Sequence, residues 1–299
     1  ELGGDSLKVM GLHLELIKNK IDINLSTLID NLTIPQISNL ASSNTASISK
    51  REKGEYFNPS ILIDLLNNHI NDADNLIVIQ SSFLQIPFNS KTLRKSLYSY
   101  FKKLIDANKT IVFAAFNFEF FEGKVFDVNY SKHQTGVLSD WIIDLFPKSK
   151  RTHHPIYSWV VLGSLFEEIN LLQEDSVFGL NSSFEYFEKN NAKYILIGTN
   201  SLTQIHRYEQ LAQVPYRYLK SFTGYSDYGD GQSQQSINMF VRDLELDPII
   251  NDIEGKVPRL LSSVMRRSLL SDSYIQSISC NDIKDILGTY LKSDPFVLL

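Results

Sequence analysis

The chain has 299 residues, 43% of them hydrophobic and 21% charged, with a formal net charge of −5. That is the composition of a globular protein long enough to bury a core and to carry a second, smaller unit. The acidic balance, with no basic stripe interleaved with aromatics, argues against a nucleic-acid partner. Cys280 is the single cysteine, so no disulfide can form within the chain, and a reducing, cytoplasmic setting is expected. The longest apolar runs, such as WVVLGSLF, fall short of the ~20 residues that cross a membrane, and no signal peptide is visible.

In chain order, the first predicted element is an amphipathic helix over residues 6–20, where Leu7, Met10, Leu14 and Ile17 fall three or four apart. A short helix and a third one from about Thr33 to Ala41 follow. Residues 44–58 are polar, without apolar periodicity, and read as a linker. From Pro59 the texture changes: SILIDLLNNHI predicts a helix, NLIVIQSS a buried strand, SLYSYFKKLIDANK a helix and TIVFAAFNFEFF a second strand. WVVLG is a further apolar run behind a polar lip. AKYILIGTN predicts another buried strand, followed at once by a helix through His206. Towards the end, YRYLKSFTGY and INMFVRDLEL read as antiparallel strands, VPRLLSSVMRR and CNDIKDILGTYL as helices. Buried strands alternating with helices make the fold class α/β, a layered domain with a mixed sheet over residues 59–299. Cys280 is read as a half-buried structural residue beside a cap at Asn281 or Asp282.

Three stretches carry chemistry. At the start, LGGDSL places Ser6 at a helix N-terminus. Read alone, Gly3 and Gly4 make a turn and Asp5 and Ser6 cap the helix. With the helices that follow, residues 1–43 resemble part of an acyl or peptidyl carrier domain lacking its usual first helix. That resemblance implies a 4'-phosphopantetheine arm on Ser6, with a phosphopantetheinyl transferase and an acyl-loading enzyme as partners. The helix N-terminus would also favour the phosphate.

The second and third stretches are RTHHPIYS and TQIHRYE. On a helix His206 and Glu209 are i and i+3 and share a face, so the carboxylate can orient the imidazole. Histidine suits a general base, its ordinary pKa being near ~6.5. An exposed surface pair would look the same. Thr203, one turn earlier, can cap that helix. A zinc site from His153, His154 and His206 has no supporting ligand spacing.

Together, NLIVIQSS, TGVLSDW, RTHHPIYS, FGLNSS and TQIHRYE resemble the aminoglycoside 3-N-acetyltransferase family, over about residues 60–225 and more weakly to the end. The resemblance implies an N-acyltransferase taking an acyl group from a phosphopantetheine thioester, on the carrier or on coenzyme A, to an amine-bearing small molecule such as an amino sugar. It assigns the catalytic site to His206, Glu209, Thr203, His154 and Ser158, the last two in the wall of the cleft, with His153 a bystander. Ser81, Ser82, Gly179 and Ser182 fall on the donor side. The sequence departs from the pattern at Gln80, where many members have histidine, and at Ser183, where many have proline. One alternative is a coenzyme A-dependent aminoglycoside 3-N-acetyltransferase with a vestigial carrier, for which Glu119, Asp127, Asp140 and Asp230 could serve a cationic acceptor. Another is a non-catalytic module that docks a loaded carrier, with Gln80 the one residue in its favour.

Overall fold

An asparagine cap and a proline start the first helix of the computed structural model, which describes residues 57–83, 86–243 and 253–299. The side chain of Asn58 accepts from Ser60 N at 3.0 Å, and Pro59 occupies the first turn, where its missing N–H costs nothing. The carrier-like segment over 1–43, with Ser6, and the linker up to Tyr56 lie outside the described residues. Helix α1 (Pro59–His69) precedes β1 (Leu76–Ser81), α2 (Ser90–Asp106) and β2 (Thr110–Ala114). Next come β3 (Phe126–Asp127), α3 (Leu138–Leu145), β4 (Lys150–Arg151), β5 (Trp159–Leu162), α4 (Phe166–Asn170) and α5 (Ser183–Lys189). Strand β6 (Lys193–Ile197), α6 (Ile205–Leu211), β7 (Arg217–Asp227) and β8 (Gln232–Arg242) follow, then α7 (Ile253–Leu260), β9 (Arg266–Leu270), β10 (Ser273–Ser279) and α8 (Cys280–Ser293).

Seven strands form one mixed sheet in the order β4-β5-β2-β1-β6-β10-β9, and β3-β7-β8 form a second. Strands β2, β1 and β6 run parallel, while β5 and β10 flank them antiparallel. The central strands are covered on both faces, which is why they read as unbroken apolar runs. Alternate residues serve two separate cores. Ile77, Ile79, Ile111 and Phe113 pack with Leu62, Leu66, Leu93, Leu97 and Phe101 of α1 and α2. Leu76, Val78, Val112 and Leu196 pack with Phe184, Phe187, Tyr208, Ile283 and Leu287 of α5, α6 and α8. A fully buried side chain of this kind contributes about 1.5–3 kcal/mol. Among the described residues no helix is long and apolar enough to cross a membrane.

The mixed α/β architecture is the expected one, with local differences. TIVFAAFNFEFF does not continue as a strand: β2 ends at Ala114, and a 3-10 turn over Glu119–Glu122 closes at Gly123, whose φ is +78°. The helix expected over VPRLLSSVMRR stops at Leu260, and Arg266 and Arg267 instead begin edge strand β9. The helix bearing His206 starts eight residues after β6 ends rather than at once. Cys280 is fully buried, and the cap of α8 is Ser279, which accepts from Asp282 N at 3.1 Å.

Two glycines clamp the turn after β1. Gly136 (φ +85°) would place a Cβ 2.8 Å from Ser81 O, and Gly198 (φ +67°) would place one 2.1 Å from Ser82 O. Both positions combine left-handed backbone with contact too close for any side chain. Gly198→Ala should therefore destabilise the protein by about 2 kcal/mol or more in urea unfolding. An unchanged midpoint would contradict the clamp.

Candidate active site

The register brings the chemistry-bearing stretches to one edge of the sheet. Ser81 lies opposite Ile197, and Ala114 opposite Trp159, so the C-terminal ends of β1, β2 and β6 meet the start of antiparallel β5. Loops leaving such an edge form the usual ligand crevice of open α/β sheets. Four of the sequence-predicted groups leave from here: Ser81–Ser82, Thr203–Glu209, His154 and Ser158.

His154 accepts at Nδ1 from Ile156 N (3.0 Å) and Tyr157 N (2.9 Å), and Nε2 lies 2.8 Å from Glu174 Oε1. Two backbone donors on Nδ1 put the proton on Nε2, where it is donated to the carboxylate. Both nitrogens are thus committed to holding the His-Pro turn. His153 stacks on Tyr228 with ring centroids 4.5 Å apart, and its backbone N–H donates to Asn170. Ser158 is fully buried. Its hydroxyl donates to Ala115 O at 2.5 Å and accepts from Arg151 Nε at 2.9 Å. Arg151 also donates to Ser131 O and, at 2.9 Å, to Ala115 O, and its guanidinium lies 5.0 Å from the centre of the Phe126 ring. Burial lowers the pKa of this guanidinium to about 10. The polar atoms of Ser158 and His154 are therefore engaged within the protein, and Arg151, part of the RTHHP stretch, ties this segment to Ser131 and Ala115.

Gln80 explains its own departure from the family pattern. Its Oε1 accepts from Thr203 N at 3.1 Å, and its Nε2 donates to Thr203 Oγ1 at 2.5 Å. This reciprocal pair anchors the turn leading into α6 to the end of β1. Ser81 and Ser82 are half-buried on the edge, and the Ser82 amide is already donated to Ile197 O at 2.8 Å, which leaves it unable to serve an oxyanion. Ser182 caps α5, accepting from Glu185 N and donating to Gly179 O, with no exposed surface. Gly179 itself sits so tightly that a Cβ would meet Asp175 Oδ1 at 2.1 Å. Ser183, in place of a proline, accepts from Trp159 Nε1 at 3.0 Å. Buried Arg207 joins these pieces, donating to Gly179 O at 2.8 Å and pairing with Glu188 (2.9 Å) and Glu185 (3.2 Å).

His206 and Glu209 meet as the spacing predicts. Nδ1 of His206 lies 2.5 Å from Glu209 Oε2, and the ring, packed 5.3 Å from Phe178, keeps 23% of its side chain exposed. Glu209 is fully buried yet satisfied: Oε2 also lies 3.0 Å from Arg217 Nε, and Oε1 accepts from Tyr216 OH at 3.0 Å. Burial would raise the pKa of this carboxyl, but Arg217, His206 and the Tyr216 hydroxyl together hold it down to about 2. An ionised carboxylate can only accept, so Nδ1 carries the proton and Nε2 keeps a lone pair. Burial, then Arg217, lower the His206 pKa from its ordinary value against the pull of Glu209. Tyr216 and Arg217 escaped the sequence reading; the only signal was VPYR, whose tyrosine lies seven residues beyond the glutamate.

The acids expected to serve a cationic acceptor are differently engaged. Asp127 accepts from Asn129 N and Tyr130 N, Glu119 pairs with Lys124, Asp140 lies 2.9 Å from His133 Nε2, and Asp230 is exposed. His153, His154 and His206 face separate partners, and among the described residues no group of three or more histidine, cysteine or acidic side chains could hold a metal.

A sequence model described as aminoglycoside 3-N-acetyltransferase matches residues 107–292. No curated protein sequence matches the chain. Solved structures do. AAC-IIIb in a binary complex with CoASH aligns at TM-score 0.66 and 18% identity, over 80% of this chain and 97% of its own. AAC-VIa bound to sisomicin aligns at 0.67 and 14%, over 80% and 98%. The YokD protein from Bacillus subtilis aligns at 0.62 and 16%, over 81% and 96%. At these identities the likeness is one of fold.

Arg207→Met should cost about 3–5 kcal/mol in urea unfolding, because it leaves Glu185 and Glu188 buried with side-chain exposures of only 7% and 9%. A loss under about 1 kcal/mol would show that the surface lysines Lys189 and Lys284 suffice.

Proposed function

The chain belongs to the aminoglycoside 3-N-acetyltransferase family and is therefore an acyltransferase, and from that premise we propose that it carries an acetyl group from coenzyme A to an amine of an aminoglycoside-like amino sugar. The donor expected from Ser6, a carrier-bound thioester, gives way to free coenzyme A. A protein of the same fold is solved with CoASH itself. The acceptor class follows from the family and from the fold relative solved with sisomicin.

One observation carries the reading: a quarter-exposed imidazole whose Nδ1 is tied to a buried, ionised carboxylate and whose Nε2 keeps its lone pair. Nε2 of His206 takes a proton from the acceptor nitrogen as that nitrogen bonds to the thioester carbonyl carbon. The C–S bond then breaks, and the departing sulfur collects the proton from the imidazolium. Glu209 holds the ring in the useful tautomer and stabilises the transient cation. Thr203, clamped by Gln80, fixes the turn that delivers the helix, and the half-buried Ser81 and Ser82 hydroxyls line the donor side. His154 and Ser158 act through the shape of the wall rather than by touching the reacting atoms.

The test is release of free thiol from acetyl-coenzyme A in the presence of an aminoglycoside. Replacing His206 by alanine should lower kcat by about 10²–10⁴-fold with the fold intact. Wild-type turnover in that variant would remove the base assignment. Turnover from a carrier-bound thioester alone, with none from acetyl-coenzyme A, would overturn the donor assignment.

A further inference from the structure

The carboxylate that orients His206 creates a problem that the neighbouring hairpin solves. An anion 2.5 Å from an imidazole nitrogen favours the imidazolium, and a base that rests protonated cannot accept a proton. Among the described residues, the charged groups facing the ring come from three elements. Glu209 is on α6, Arg217 is the first residue of β7, and Arg242 is the last residue of β8. Arg217 and Arg242 are cross-strand partners, so the open end of one hairpin delivers both cations beside the histidine. Arg217 lies 3.0 Å from the same carboxylate oxygen that receives His206 Nδ1, and its side chain is only 8% exposed. Tyr216 holds the other oxygen at 3.0 Å without adding charge.

We propose that Arg217 is a positioning residue that keeps His206 unprotonated in the resting enzyme, cancelling the charge of Glu209 while leaving its hydrogen bond in place. The proposal rests on His206 being the base. The carboxylate then selects the tautomer, and the guanidinium removes the electrostatic penalty that this selection would bring. Both arginines act in the same direction as burial, and among the described residues only Glu209 opposes them. The hairpin thereby becomes part of the chemistry although no atom of it needs to touch either substrate.

The experiment is the pH profile of kcat/KM for wild type, Arg217→Gln and Arg217→Lys. It is run with two acceptors of different amine pKa, so that a limb belonging to the acceptor follows the acceptor and not the variant. In Arg217→Gln the acid limb belonging to the enzyme should move up by about one pH unit, costing roughly tenfold in rate below the limb. Most of the rate should return at high pH. In Arg217→Lys, which keeps the charge, the limb should stay near its wild-type position. A limb that stays put in Arg217→Gln, with a rate lost equally at every pH, would overturn the proposal. If that variant does not fold, Glu209→Gln tests the same balance from the other side: with the cation left uncompensated the limb should move down, and no movement or an upward one would overturn it. His206→Ala separates the two claims. If it keeps its activity the base reading fails, whereas an inactive His206→Ala beside an unmoved Arg217→Gln limb defeats the arginine alone.

Discussion

One oxygen atom organises this site. Oε2 of Glu209 faces the imidazole of His206 at 2.5 Å and the guanidinium of Arg217 at 3.0 Å, in a side chain with no exposed surface. A carboxylate taken out of water in this way is tolerable only because it is paired and hydrogen-bonded on both oxygens. In return it keeps its charge, its position and one histidine tautomer. The rest of the domain delivers its three partners to the same point.

That delivery explains features that look unrelated. The turn into α6 is held by the Gln80–Thr203 pair, which links it to the end of β1. The body of α6 is pinned through Arg207 to the loop around Gly179 and to α5. The hairpin that brings Arg217 and Arg242 is fastened at its far end, where Tyr228 stacks on His153. The histidine pair of the RTHHP stretch is thus a brace: His154 locks its own turn, and His153 receives the hairpin.

Much of the architecture was legible in the sequence because it depends on composition over short windows. The runs LIVIQ, TIVFA and KYILI are short, rich in β-branched residues and flanked by polar turns, as strands buried on both faces are, and the helices between them repeat their apolar residues every three or four positions. The His206–Glu209 contact was legible for the same reason, since helical spacing places i and i+3 together. What escaped was the chemistry set by contacts distant in sequence. The carboxylate of Glu209 finds its arginine through the hairpin, and Arg151 finds Ser131, Ala115 and Ser158 through the return of β5 along the sheet. Gly179 and Ser182, expected on the donor side from their motif spacing, also have a local structural role as a tight turn and a helix cap.

The account turns on the protonation state of one ring, which nitrogen-15 NMR of selectively labelled histidine can read directly. The resting protein at neutral pH should give His206 as a neutral imidazole with the proton on Nδ1, titrating below the ordinary value of about 6.5. A His206 that is already imidazolium at pH 7, or that carries its proton on Nε2, would contradict it.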